Sequence, residues 1–492
     1  MIILQPQLSD VRKWYESKGL VGEGRLSILQ TLLAIKKQPF GIESLAGAGK
    51  SATLDLLANH KLNGEEILLP KESVYIMGVG SKTAQMYKEA EINKAKLIYV
   101  EELQKAGSSL EITEMLKNLA EGKEFTRDVT DMAGGSVKTQ KILKGKGIMY
   151  TLAIENKHKN DEEMKRRFIV MSTDVSQEQT KKVVTRKAQE RFAKERLVEI
   201  SEEEIDSLRR HIKGCLELDN IKFQNPYAEA LSEYMPTPDQ KVRSFVGHYF
   251  NVVDAVSLYH YKDRLMTSRK DGKTDLFVTI QDVYVANLLY NDYFTMDIHS
   301  IPPLGKEILL AFNKIDYENT LASKEAKKVI DLSSFSNEED TVEHRWATVT
   351  DIHDYLKKEM NIVLKHGVTR DVCNQLYEAG FLSRNSKPGA MNEYCLADSV
   401  ESLNSKIDWS SVLEAGKKLM KEHKPQHYEE WMKTQELQII NPLTDKQVNI
   451  LEKEIINKPP NIITKPQEVE IVMEDLNDEH VEGQWSKMEG VG

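Results

Sequence analysis

The stretch Ser44-Leu-Ala-Gly-Ala-Gly-Lys-Ser51 follows the short apolar run Pro39–Ile42 and opens Ala52–His60, where apolar residues return at helical spacing. A strand, a glycine-containing loop and a helix in that order form an anion cradle. Gly47 and Gly49 let the backbone curl with its N–H groups inward, and the helix N-terminus adds positive potential. Gly47, Ala48, Gly49, Lys50, Ser51 and Ala52 are thus placed to hold a phosphate chain. Lys50 reaches its β and γ groups, and Ser51 offers a hydroxyl to Mg2+.

A magnesium nucleotide also needs a carboxylate beside the loop, and hydrolysis needs a base for water. Lys96-Leu-Ile-Tyr-Val-Glu-Glu102 supplies both as an apolar strand ending in two acids. Together the two stretches resemble the Walker A and B motifs of P-loop NTPases. The resemblance implies ATP and Mg2+ as cofactors, with Ser51 and Glu101 on the metal and Glu102 polarising the attacking water. There are two departures from the pattern. Ser44 stands where the loop has its first glycine, and Glu101 where most relatives carry Asp.

Downstream, the apolar run Gly147–Ile154 ends at Glu155-Asn156, and Glu162-Glu-Met-Lys-Arg-Arg-Phe168 precedes Ile169–Met171. This order resembles the AAA+ branch. The likeness implies Asn156 as a polar sensor, Arg167 or Arg166 as an arginine finger reaching a neighbouring subunit, and hence a ring, as a homo-hexamer. Between these motifs, two β-prone runs flank Gly134-Gly135, so the spacing predicts a hairpin. Its second arm carries Lys138, Lys141, Lys144 and Lys146, a density suited to phosphate contact. A hairpin in this position resembles the pre-sensor hairpin of MCM-type helicases, which grips single-stranded DNA in the ring's pore; a solvated surface hairpin is the competing reading. The helical stretch from Lys241 resembles the MCM lid helix, which makes Arg243 the second sensor.

Beyond the core, residues 175–295 read as an all-α lid and bundle, and 296–345 as a helical connector. Residues 346–400 run helix, helix, hairpin, which resembles a winged helix. Its expected DNA contacts are Arg370, Asn374, Arg384 and Lys387, with duplex DNA as the ligand; a protein docking module is the competing reading. Residues 1–35 form an N-terminal helical segment ahead of the α/β ATPase core at 36–174. Residues 401–430 are helical, and 431–492 form a disordered acidic tail.

Composition bounds the class. A chain of 492 residues suggests about three domains. With mean hydropathy of -0.48 and no apolar run of about 18 residues, it is expected to be no membrane protein. Without a secretory leader pattern it is expected to be cytoplasmic, or in another compartment that holds DNA. Cys215, Cys373 and Cys395 are too few and too scattered for a disulfide framework or a zinc pair and read as reduced thiols. Eight acids against Lys487 from Pro466 onward carry most of the net charge of -10.

The fold class expected is therefore α/β: a P-loop AAA+ core with a parallel sheet, then a lid and a C-terminal winged helix. The activity implied is an ATP-dependent DNA helicase of MCM-like type in DNA replication. Only about 35 residues precede the loop, where MCM proteins carry a large DNA-binding region. A primase or an initiator is therefore the partner expected to supply that collar, an economy that suits a virus or other mobile element. Two rivals stay open. One is a replication initiator or helicase loader that binds duplex DNA; the other is an ATP-gated regulator or scaffold.

Overall fold

The computed structural model describes residues 5–45, 47–64, 66–78, 82–103, 110–131, 137–153, 162–192, 200–235, 242–298, 304–305, 307–312, 346–360, 362–378, 381–386, 391–396 and 407–452. Strands β1 (Phe40–Ser44), β2 (Val74–Met77) and β3 (Leu97–Val100) are followed by the hairpin β4 (Phe125–Asp131) and β5 (Val137–Leu143), then β6 (Gly147–Ala153) and β7 (Ile169–Met171). Five of them form a sheet in the order β2-β3-β6-β1-β7, with every pair parallel. The mixed α/β architecture with this sheet is compatible with the P-loop AAA+ core expected from the sequence.

The strands are apolar on both faces because both faces are covered. Val74 and Ile76 of β2, with Leu97 and Tyr99 of β3, enter a core shared with helices Leu8–Ser17, Gly24–Lys36, Val242–Tyr259 and Ile280–Ile298. Their alternates Tyr75, Met77, Ile98 and Val100 enter a second core with helix Leu110–Ala120. The period of two along a strand thus distributes one apolar run between two layers. Helix Gly24–Lys36 is buried along most of its length and stops where Lys37 turns left-handed at φ 59°. Among the described residues, no helix is long and apolar enough to cross a membrane.

Three expectations are corrected here. Residues 175–295 are not all helical: β8 (Ile221–Gln224), β9 (Met266–Ser268) and β10 (Thr274–Phe277) form a sheet in the order β8-β10-β9. Strands of three or four residues carry too few alternations to stand out against helical neighbours. Arg264 anchors this region through a buried ion pair with Asp282, whose other oxygen accepts the Thr279 N–H at 3.0 Å.

The second correction concerns the connector. Helical residues 307–312 lie within the stretch read as 296–345, yet Ile308, Leu309 and Phe312 pack into the core of the C-terminal unit. That unit comprises β11 (Ala347–Thr348), helices Val349–Lys358 and His366–Glu378, β12 (Leu382–Asn385) and β13 (Glu393–Leu396). Its antiparallel sheet runs β11-β13-β12.

Third, the chain beyond 430 is folded as far as 452. Trp431 is fully buried and its indole N–H donates to the Val278 carbonyl at 3.0 Å. β14 (Gln438–Ile440) and β15 (Gln447–Asn449) pair as a hairpin that buries Ile439 and Val448. Each such side chain contributes about 1.5–3 kcal/mol. The Arg12 guanidinium binds both the Pro442 carbonyl and Asp445, which ties the first helix to the 438–449 hairpin. Polar composition hid three well-spaced apolar anchors. Residues 453–492, the rest of the expected tail, lie outside the described residues.

Candidate functional site

In a parallel sheet, ligands collect at the carboxyl ends of the strands, where the loops leave. β1 and β3 flank β6, so their ends stand two strand spacings apart, about 10 Å. The glycine loop leaves β1 there and the acid pair leaves β3. Gly47 and Gly49 have φ of 79° and 83°, the left-handed region in which a side chain is strained. Among the described residues, no atom beyond the chain neighbours lies within 4 Å of where a Cβ would stand at either glycine, so the sign of φ is what favours glycine. Helix Lys50–Ala58 starts directly after Gly49, and the Lys50 ammonium donates back to the Leu45 carbonyl at 3.3 Å.

The Ser44 departure has a local explanation. Ser44 is the last residue of β1, paired with Ala153, and its extended backbone has no need of glycine. Its hydroxyl hydrogen-bonds that of Thr173 at 2.6 Å.

A cleft of about 390 Å3 joins the two motifs: Ser51 lines it from the loop helix, and Glu101 and Glu102 from the end of β3. Gly47, Ala48, Gly49, Lys50 and Ala52 are on the loop side, outside its lining. Among its other lining residues are three that sequence reasoning passed over, Asp55, Asn59 and Tyr99. Asp55 lies one helical turn beyond Ser51 and accepts from the Tyr99 hydroxyl at 2.9 Å. The Asn59 amide donates to Asp55 at 2.8 Å and to Glu101 at 3.0 Å, tying the loop helix to the acid strand. Burial, then the nearby Asp55 carboxylate, pushes the Tyr99 hydroxyl far above its ordinary range, so it remains a donor. The i, i+4 spacing of Ser51 and Asp55 was the available signal. Thr151 of β6 donates to the Glu101 carbonyl and fixes the strand end. A serine hydroxyl and carboxylates are hard oxygen donors, a set that suits Mg2+ bound together with phosphate oxygens.

The remaining expected site residues are dispersed. Asn156 lies outside the described residues. Arg166 is exposed at the end of helix Glu162–Arg167, whereas Arg167 is paired with Glu121 and with Glu163, the latter at 2.9 Å. Arg243 is exposed in the first turn of helix Val242–Tyr259. From that helix, His248 donates to the Arg166 carbonyl at 3.1 Å, and burial pulls its imidazole down to about 4, so it is neutral.

The hairpin forms as the sequence predicts, from Phe125↔Leu143 to Asp131↔Val137. Its four lysines, expected to act together, are separated. Lys141 shares the face of buried Val129 and Leu143 and pairs with Glu89 at 3.2 Å. Lys144 and Lys146 lie past the end of β5, and Lys146 donates to the Asn93 carbonyl at 3.1 Å. Burial lowers its ammonium below the usual range, helped by neighbouring Lys144. Lys138 is in register with Thr130.

In the C-terminal unit, Arg370 is exposed, and the Arg384 guanidinium stacks 4.2 Å over the Tyr377 ring. Asn374 is half-buried and its side-chain oxygen accepts from the Tyr394 hydroxyl at 2.7 Å. Lys387 lies outside the described residues.

No protein-family model matches the chain, and no curated protein matches it. Among solved structures, an inferred ATPase from Cytophaga hutchinsonii is 12% identical with a TM-score of 0.32, the match covering 57% of this chain and 85% of that one. A full-length MCM homolog from Methanopyrus kandleri is 9% identical with a TM-score of 0.31, covering 60% and 63%. The apo C-terminal region of NrS-1 is 10% identical with a TM-score of 0.24, covering 80% and 76%. At TM-scores this low, the fold rests on the sheet order and the loop geometry themselves.

Proposed function

We propose that this protein is a Mg2+-dependent AAA+ ATPase whose hydrolysis moves the β4–β5 hairpin along DNA, as in an MCM-like helicase. The observation that carries the reading is the convergence of Ser51, Glu101 and Glu102 on one cleft at the carboxyl ends of β1 and β3. In this reading the loop N–H groups and Lys50 hold the phosphates. Ser51 and Glu101 hold Mg2+, which neutralises phosphate charge. Glu102 takes a proton from the water that attacks the γ-phosphorus; the bond to the bridging oxygen breaks, and ADP and phosphate leave. Asn156 senses the γ-phosphate, and Arg243 does so from the lid. Arg166 is the better finger in trans, because Arg167 is held by two acids of its own chain. Residues 36–174 are then the motor, and 346–396 a winged helix that offers Arg370 and Arg384 to duplex DNA.

A second reading is an ATP-gated regulator or scaffold. It is favoured by one observation: Lys141 and Lys146 are engaged at the base of the hairpin, which leaves a weaker grip for DNA.

Steady-state ATP hydrolysis with no DNA, single-stranded DNA and duplex DNA separates the two, with Lys50→Ala as the blank and solution mass to report assembly. Several-fold stimulation by single strands in a ring-sized species supports the motor. Hydrolysis indifferent to DNA moves the assignment to the regulator.

A further inference from the structure

Five consecutive residues after β7 are each held by a different part of the molecule. The Ser172 carbonyl accepts from the Tyr293 hydroxyl at 3.2 Å. The Thr173 hydroxyl bonds that of Ser44, and the Asp174 N–H donates to Glu23 at 3.0 Å. Val175 packs on the core of the C-terminal unit, and so does Leu45, the residue after Ser44. Ser176 caps helix Gln177–Phe192 by accepting from the Gln179 N–H at 3.1 Å. The segment is therefore a junction at which the glycine loop, the N-terminal helices, helix Ile280–Ile298 and the C-terminal unit meet.

A side-chain bond ties this junction to the loop strand, and it is closed to solvent. Ser44 is 2% exposed and Thr173 is 3% exposed, so water cannot substitute for either partner. A glycine at position 44, as in the usual loop pattern, would lack the bond altogether. We propose that the Ser44–Thr173 hydroxyl pair is a positioning contact that couples occupancy of the glycine loop to the C-terminal unit. Leu45 directly follows Ser44, Val175 lies two residues beyond Thr173, and both pack on the same apolar core. A shift of the loop on closing around phosphate therefore reaches that core along two short chain segments clamped together at their start. The coupling is reciprocal: a ligand or partner of the C-terminal unit alters nucleotide affinity by the same factor. This rests on the reading of the loop as a nucleotide site.

The test uses the full chain, with Mg-ADP as the probe. A fluorescent ADP analogue reports binding, and hydrogen exchange across residues 346–396 reports the C-terminal unit. In the wild type, saturating nucleotide should change exchange in that unit by about fivefold, the scale of one buried hydrogen bond. Thr173→Val should abolish this change while nucleotide still binds, and Thr173→Ser should restore it. If Thr173→Val fails to fold, Ser44→Ala is read by the same exchange measurement. A change that persists without the hydroxyl pair overturns the proposal, as does a wild type that binds nucleotide with no response in residues 346–396. A wild type that binds no nucleotide instead overturns the loop reading, and the coupling with it.

Discussion

The glycine loop and the β4–β5 hairpin both stand out in the sequence by local composition, and they fare differently in three dimensions. The chemistry of the loop is carried by the backbone: glycines of positive φ, a helix terminus and two strand ends. Neighbours in sequence therefore remain neighbours in space. The hairpin signal was a density of side chains, and the pleat sends successive residues to opposite faces. Lys141 went to the core-facing side against Glu89, and Lys144 and Lys146 to the base. A motif written in backbone conformation survives folding, whereas one written in charge density is redistributed by it.

The largest effect should come from the loop side. Lys50→Ala and Glu102→Gln should each lower steady-state ATP hydrolysis by about 100-fold or more. Glu102→Gln should still bind nucleotide in a fluorescence titration, and a variant hydrolysing at the wild-type rate would remove Glu102 from the chemistry.

Glu23, which holds the junction beside the loop, gives a pH signature. Burial pushes its carboxyl up to about 8, against the opposing effect of the Asp174 N–H. The native state thus holds a proton that the unfolded chain releases, and stability should fall as pH rises from about 4.5 to 8. Glu23→Gln should flatten that slope in urea unfolding and raise stability at the alkaline end, on the order of 2 kcal/mol.

Gly49→Ala places a side chain at φ 83° and should weaken nucleotide binding by about tenfold through strain of about 1–2 kcal/mol. An unchanged affinity would break the backbone half of the comparison.

The smallest effects belong to the hairpin. Lys138→Ala should reduce DNA-stimulated hydrolysis by a few-fold and lower the salt slope of DNA binding by about one. Lys146→Ala, at the base, should leave that slope alone. Equal effects of the two would mean that the lysines act together after all.

Much of the molecule was legible because its signals are short-range. The apolar runs of β1, β3 and β6 and the loop glycines each depend on a few adjacent residues, and most of these elements formed within a residue or two of where they were expected, whereas Gly134-Gly135 lies outside the described residues. The sheet of β8, β9 and β10 and the hairpin at 438–449 were missed because strands of three or four residues carry almost no periodicity. Asp55, Asn59 and Tyr99 were missed because their role depends on which strand end faces the loop helix.

The sequence by itself determined the glycine loop, the acid-tipped strand and the alternation of strands and helices, since φ preference and apolar spacing are local properties. Only the tertiary structure decided that Ser44 meets Thr173, that Asn59 bridges Asp55 and Glu101, and that Arg167 is held within its own chain. Partners of that kind are separated by up to 129 positions, and they are chosen by the order in which strands pair and by which faces the helices cover.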